Sequence, residues 1–235
     1  MRKLVILVFM IVGFSTLIMP IKYTSAQNSD SISVQTIEGP SVSEIVINKA
    51  HESWPWYVAR GSGIVAAISL VLLMLSGIGQ ITGQTYKILE PLTAWASHRS
   101  LGIVFMISVI VHMFVFLFDK FIAFSIWDIL LPWFSDFKPL TLFGINFGSA
   151  YLALGILSFY LSIAIVATSL LIINKKPKSW KLVHFLSYVL ILLVFIHALQ
   201  IGTDLASGIL RLIWIVLGNI LSLAIIYRAW RSFTT

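Results

Sequence analysis

Apolar residues in this chain gather in long unbroken blocks rather than in the alternating or 3.6-residue stripes of a soluble fold. Five such blocks follow residue 56, at about 57–79, 98–118, 148–173, 183–201 and 208–229. Each is long enough to cross about 30 Å of hydrocarbon as a helix rising about 1.5 Å per residue. None contains Pro, and none has Asp or Glu in its middle. The pattern predicts an all-α membrane protein, a bundle of five core transmembrane helices.

A sixth apolar stretch opens the chain. Arg2 and Lys3 precede Leu4 to Ile21, and Thr24-Ser25-Ala26 forms a small-residue site before Gln27. Residues 1–26 read as a signal peptide. Their apolar part is also long enough to serve as a retained first helix, which would make six. Either way Gln27 lies outside. Residues 27–56, rich in Ser, read as an extracytoplasmic linker with a short surface helix around Val42–Ala50. Residues 57–230 then form the transmembrane domain and 231–235 a cytoplasmic tail.

Charge sets the orientation. The stretch 174–181 holds Lys175, Lys176, Lys178 and Lys181 and no acid. Arg228 and Arg231 close the last block, and Lys87 and Arg99 flank the second. Placing these regions in the cytoplasm satisfies the positive-inside rule. The loop 119–147, with Asp119, Asp128 and Asp136, then faces outside. Its stretch Phe121 to Phe134 is expected to lie in the outer interface as an amphipathic or re-entrant piece. Trp54, Trp56, Trp127 and Trp133 form an outer aromatic belt, and Trp95, Trp180 and Trp230 an inner one. The chain reads as an integral protein, with a bacterial plasma membrane as the expected location. No internal repeat is visible.

Composition narrows the chemistry. The chain is 59% hydrophobic and 11% charged, so its +7 net charge belongs to helix ends and is no nucleic-acid signal. It has no Cys. That excludes disulfides, thiolate ligation and the C-x-x-C-H attachment of haem.

Within the spans, four histidines stand out. His98 and His112 are fourteen positions apart on one block, and His184 and His197 thirteen apart on another. Ionisable residues inside membrane helices are functional-site candidates by default. The topology starts both helices from the cytoplasmic side, with His98 and His184 near those starts. His98 and His184 then share an inner depth, and His112 and His197 an outer depth about 20 Å away. Two imidazoles without a third protein ligand make a poor closed zinc site. They suit a metal whose other four ligands come from a planar macrocycle. The expectation is two haem b groups, held non-covalently between histidines of the two helices. One detail resists it. At about 100° per residue, fourteen positions return His112 to within about 40° of the His98 face, but thirteen leave His197 about 140° from that of His184. Either that helix is bent or bulged, or its haems lie on different sides.

These residues resemble the ferric reductase-like transmembrane domain shared by ferric reductases, NADPH oxidases and bacterial haem-binding sulfoxide-reductase subunits. The resemblance runs from about Val58 to Tyr227. It is carried by Ala59-Arg60-Gly61-Ser62-Gly63, by Ser97-His98-Arg99-Ser100-Leu101-Gly102, by His112, by Trp180 to Tyr188 around His184, and by His197-Ala198-Leu199. It implies a di-haem b-type cytochrome that moves electrons from a cytoplasmic-side donor to an extracytoplasmic acceptor such as ferric iron, oxygen or a periplasmic reductase. Larger family members continue into a flavin and nicotinamide domain. Here Thr235 follows the last helix closely and no G-x-G-x-x-G occurs, so the expectation is no flavin or nicotinamide site in this chain. The chain would be an oxidoreductase component, its donor a separate flavoprotein or a quinol.

Arg60 and Arg211, at expected outer helix ends, and Arg99, beside His98, are candidate partners for haem propionates. Asp204 reads as an exposed capping carboxylate. The lysines of 175–181 offer a docking surface for an acidic donor, beside their plainer role in topology. The alternative function is a haem or metal carrier without redox turnover. Helices unbroken by Pro and polar groups placed towards both ends weigh against it.

Overall fold

The structure, a computed structural model, describes residues 42–234. The expected signal peptide and the linker up to residue 41 lie outside the described residues. Helix α1 is Val42–Thr82. Helix α2 is Pro91–Phe114, prolonged by a 3-10 turn at Val115–Phe118. The short α3, Ile126–Leu130, leads to a hairpin of β1, Thr141–Leu142, and β2, Ile145–Asn146. Then come α4, Ala150–Leu171, α5, Pro177–Phe185, α6, Ser187–Ile201, and α7, Gly208–Thr234. Among the described residues, five helical stretches are long and apolar enough to span: 53–82, 91–118, 150–171, 177–201 and 208–231. The protein is thus an all-α integral membrane protein whose described strands make one small hairpin.

Three boundaries differ from the sequence reading. The chain is helical from Val42, inside the expected linker, because Val42, Ile45, Val46 and Ala50 already follow a helical period and run into the first span. Pro55 sits buried within that helix. The second and fourth spans begin about two turns earlier than expected, at Pro91 and Pro177. Proline suits a first helical turn, where its missing N–H costs nothing. His98 and His184 are therefore each the eighth residue of their span rather than at its start.

The bundle is organised as two antiparallel hairpins. Helix α1 packs chiefly on α2, and α4 on α5 and α6, while α7 closes against α1. Lipid tails are as apolar as leucine, so close packing rather than water exclusion holds such helices together. The core runs through Leu70, Met74 and Ile78 of α1, Phe105 of α2, Ile191 and Phe195 of α6, and Leu221 of α7. Phe195 stacks on Trp214 at 5.2 Å between centroids and 14° between planes. Such a pair contributes about 0.5–1.5 kcal/mol beyond its area.

Helix α3 is fastened to the bundle. Ser125 caps it in a reciprocal box with Asp128, and Ile129 is buried against Met113 and Phe159. Trp127, Trp133 and Phe134 stay exposed beside it. The hairpin turns at Phe143 and Gly144, both at positive φ (53° and 78°), the backbone of a two-residue type I′ loop.

Candidate functional site

The end carrying the lysine stretch is the inner end; the end carrying the 119–149 loop is the outer. His98 and His184 meet across α2 and α5 with ring centroids 6.2 Å apart and planes tilted 53°. Two imidazoles on opposite sides of one metal, each bonded at about 2 Å, would hold their centroids roughly 6 Å apart. Among the described residues no ring contact joins His112 and His197, and no three His, Cys, Asp or Glu side chains gather around a point. A metal held by either pair would need its remaining ligands from elsewhere.

Each of the four rings is pinned through Nδ1. At the outer level His112 Nδ1 is 2.8 Å from the Ala59 carbonyl, and His197 Nδ1 is 2.8 Å from the Tyr151 carbonyl. A carbonyl only accepts, so both rings carry their proton on Nδ1. At the inner level His98 Nδ1 is 2.8 Å from Ser76 Oγ, and His184 Nδ1 is 3.3 Å from Ser169 Oγ. Each hydroxyl has a single proton and a carbonyl of its own helix to receive it: Leu73 for Ser76, at 3.1 Å, and Ile165 for Ser169, at 2.7 Å. With the serine protons so placed and Nε2 kept for a metal, Nδ1 carries the imidazole proton and the serine oxygens accept it. All four Nε2 lone pairs are left open, and no hydrogen bond occupies them among the described residues. A histidine fixed through one nitrogen is oriented to bind metal through the other. All four rings are only half-buried. The inner pair has the spacing and open Nε2 atoms that a bis-imidazole haem needs, and His112 and His197 share its Nδ1 anchoring and open Nε2.

Glycines make room for the rings. A Cβ on Gly63 would stand 3.0 Å from His112 Nδ1, one on Gly155 2.6 Å from His197 Nδ1, and one on Gly77 3.3 Å from His98 Cε1. Gly63 follows Ala59 by four residues, and Gly155 follows Tyr151 by four. A helical side chain leans over the turn N-terminal to it, so a side chain at either glycine would cover the carbonyl that receives the imidazole. Gly102 has open space and plays no such part.

The unequal histidine spacing has a local counterpart. The fourth span is interrupted at Leu186, between α5 and α6. Leu186 N–H donates to Val183 O and Val189 N–H to Leu186 O, both at 2.9 Å and both three-residue steps. A 3-10 step turns about 120° and rises about 2.0 Å, against about 100° and 1.5 Å in an α-helix. Steps of this kind add rise and turn, which moves the thirteen-residue spacing towards the fourteen-residue one. A local irregularity, one of the expected alternatives, is present at Leu186.

The arginines are placed differently from the simplest expectation. Arg60 Nε donates to Asp204 Oδ2 at 2.8 Å, a second bond joins Nη2 to Oδ1, and the guanidinium lies 4.0 Å over Trp56. Asp204 is therefore no free capping carboxylate. Gly202 precedes the 3-10 turn Thr203–Leu205, and the Asp204 side chain reaches across to α1. Arg211 Nη1 donates to Leu205 O at 2.9 Å, fastening the same turn from α7. Arg99 lies 5.5 Å over Trp95. Trp56 lies beneath Arg60, and Trp180 donates to Ser169 Oγ at 3.1 Å, so neither is a simple belt residue.

Sequence reasoning missed Ser76, Ser169, Gly77, Gly155 and Arg228. Arg228 of α7 lies 5.0 Å over the ring of Tyr188, four residues after His184. Gly155, in the middle of an apolar span, was the one visible signal, since glycine there needs a packing reason.

No curated protein and no solved structure matches the chain. The family described as ferric reductase like transmembrane component matches residues 62–195, more than half of the sequence. The match includes His98, His112 and His184 and ends two residues before His197. Five spans, paired histidines and this match agree: the chain belongs to the ferric reductase-like transmembrane family, membrane proteins that work with redox partners.

Proposed function

We propose that the chain is a di-haem b-type cytochrome domain carrying electrons across the membrane. The observation that carries this reading is the set of four Nδ1-anchored histidines with open Nε2 atoms, two at each level. His98 and His184 would hold the inner haem, and His112 and His197 the outer one. Each haem, when bound, supplies one-electron ferric–ferrous chemistry. The chain's own part is to orient the imidazoles, hold their protons on Nδ1, and surround the sites with apolar walls that exclude water.

Arg60, Arg211 and Arg99 remain candidates for propionate contacts, because each guanidinium has more N–H donors than the bonds described above use. The positive-inside rule places the 174–181 stretch and the C-terminal end in the cytoplasm. Electrons then enter at the inner level from a flavoprotein or a quinol, and leave at the outer level to ferric iron, oxygen or a periplasmic reductase.

Reduced-minus-oxidised absorption of the purified protein tests the reading. The expected result is a low-spin b-type spectrum with about two haems per chain. Protein that binds none after expression with ample haem supply overturns it.

A further inference from the structure

The inner and outer histidines are held by different kinds of oxygen. The outer acceptors are main-chain carbonyls; the inner acceptors are serine hydroxyls that already spend their proton on Leu73 O and Ile165 O. Ser169 carries a further load. Trp180 Nε1–H donates to the same Oγ at 3.1 Å, and the His184 bond to that oxygen is the longest of the four, at 3.3 Å. Two donors share one oxygen there, so His184 has the weakest acceptor.

We propose that Ser76, Ser169 and Trp180 are positioning residues that set the redox potential of the inner site, independently of the outer one. The inference rests on the di-haem reading above. An acceptor on Nδ1–H makes the imidazole a stronger base towards its metal. A stronger base favours the oxidised, more positive iron and lowers its potential. Removing a serine hydroxyl therefore raises the inner potential. Removing Trp180's N–H frees Ser169 Oγ for His184, strengthens that bond and lowers the potential. Two substitutions around one site thus act in opposite directions. No side-chain substitution can remove the outer acceptors, since they belong to the backbone.

Potentiometric titration of the haem spectrum in Ser76→Ala, Ser169→Ala and Trp180→Phe tests this. The expected result is an upward shift of one wave in the two serine variants, a downward shift of the same wave in Trp180→Phe, and an unmoved second wave throughout. Ser76→Thr, which keeps the hydroxyl, should return the wave towards its original position. The unmoved wave shows that a variant is folded, and the threonine variant covers a failure of the alanine one. If haem is bound but the shifts are absent, share one sign, or affect both waves equally, this inference is wrong and the di-haem reading stands. If the unsubstituted protein binds no haem, the di-haem reading itself has failed.

Discussion

The two ends of the bundle solve one problem in two ways. Both must hold an imidazole by Nδ1 and leave Nε2 open. The outer end uses carbonyls of α1 and α4, with a glycine four residues later in each helix. The inner end uses hydroxyls of the same two helices, at Ser76 and Ser169. The chain shows no sequence repeat, yet its two hairpins share a plan: carbonyl and glycine outside, serine inside. A site built on backbone is rigid and sensitive to crowding. A site built on side chains is adjustable and sensitive to chemistry.

Substituting ligands should break the comparison most. His112→Ala or His197→Ala is expected to reduce haem from about two per chain to about one, with the inner spectrum retained; His98→Ala or His184→Ala should do the converse. Pyridine haemochrome assays with low-temperature spectra distinguish the two losses. Loss of both haems in every variant would mean that the levels are not independent.

Crowding comes next. Gly155→Ala places a methyl against the His197 ring, and overpacking of this kind typically costs about 1–3 kcal/mol. It should weaken or abolish the outer haem. Gly77→Ala would meet His98 Cε1 at 3.3 Å, a tight contact relieved by a small shift of the ring, and should change the inner spectrum much less. Equal effects would remove the contrast between rigid and adjustable ends.

A smaller effect is expected from the Arg60–Asp204 pair, which ties α1 to the turn after α6. Both side chains are partly exposed, so Asp204→Asn should cost about 0.2–1 kcal/mol, read as a lowered Tm. The exchanged pair, Arg60→Asp with Asp204→Arg, should recover part of it. An outer haem unaffected by either change would confine the pair to a structural role.

The smallest effect lies in the outer loop. Ser125's side-chain hydrogen bond holds the Asp128 carboxyl below its usual range. An acid with a lowered folded pKa stabilises above its unfolded value, near 3.8, and that contribution disappears as pH falls through the folded value. Hydrogen-exchange protection factors around α3, corrected for the intrinsic pH dependence, should therefore fall below about pH 4, and less so in Ser125→Ala, which lacks the bond. The inner end should show no matching change.

Much of this was legible in the residues. Five apolar blocks gave the bundle, and the histidine positions put His98 level with His184, whose rings meet. What escaped has physical reasons. Pro91 and Pro177 read as breakers because proline usually ends helices, yet it also begins them. The Leu186 interruption lies among apolar residues with no local mark. Serines inside membrane helices ordinarily bond back to their own turn, as Ser62, Ser158 and Ser222 do here, so nothing distinguishes Ser76 and Ser169 until another helix brings a ring to them. The Arg60–Asp204 contact joins residues 144 positions apart, beyond any local pattern.

The Nδ1 anchors also bear on affinity. Fixing a loose side chain at an interface costs about 0.5–1.5 kcal/mol, normally drawn from the affinity of whatever binds there. In this bundle hydrogen bonds internal to the fold hold the four imidazoles. A group taken up by the proposed sites would be spared most of that cost.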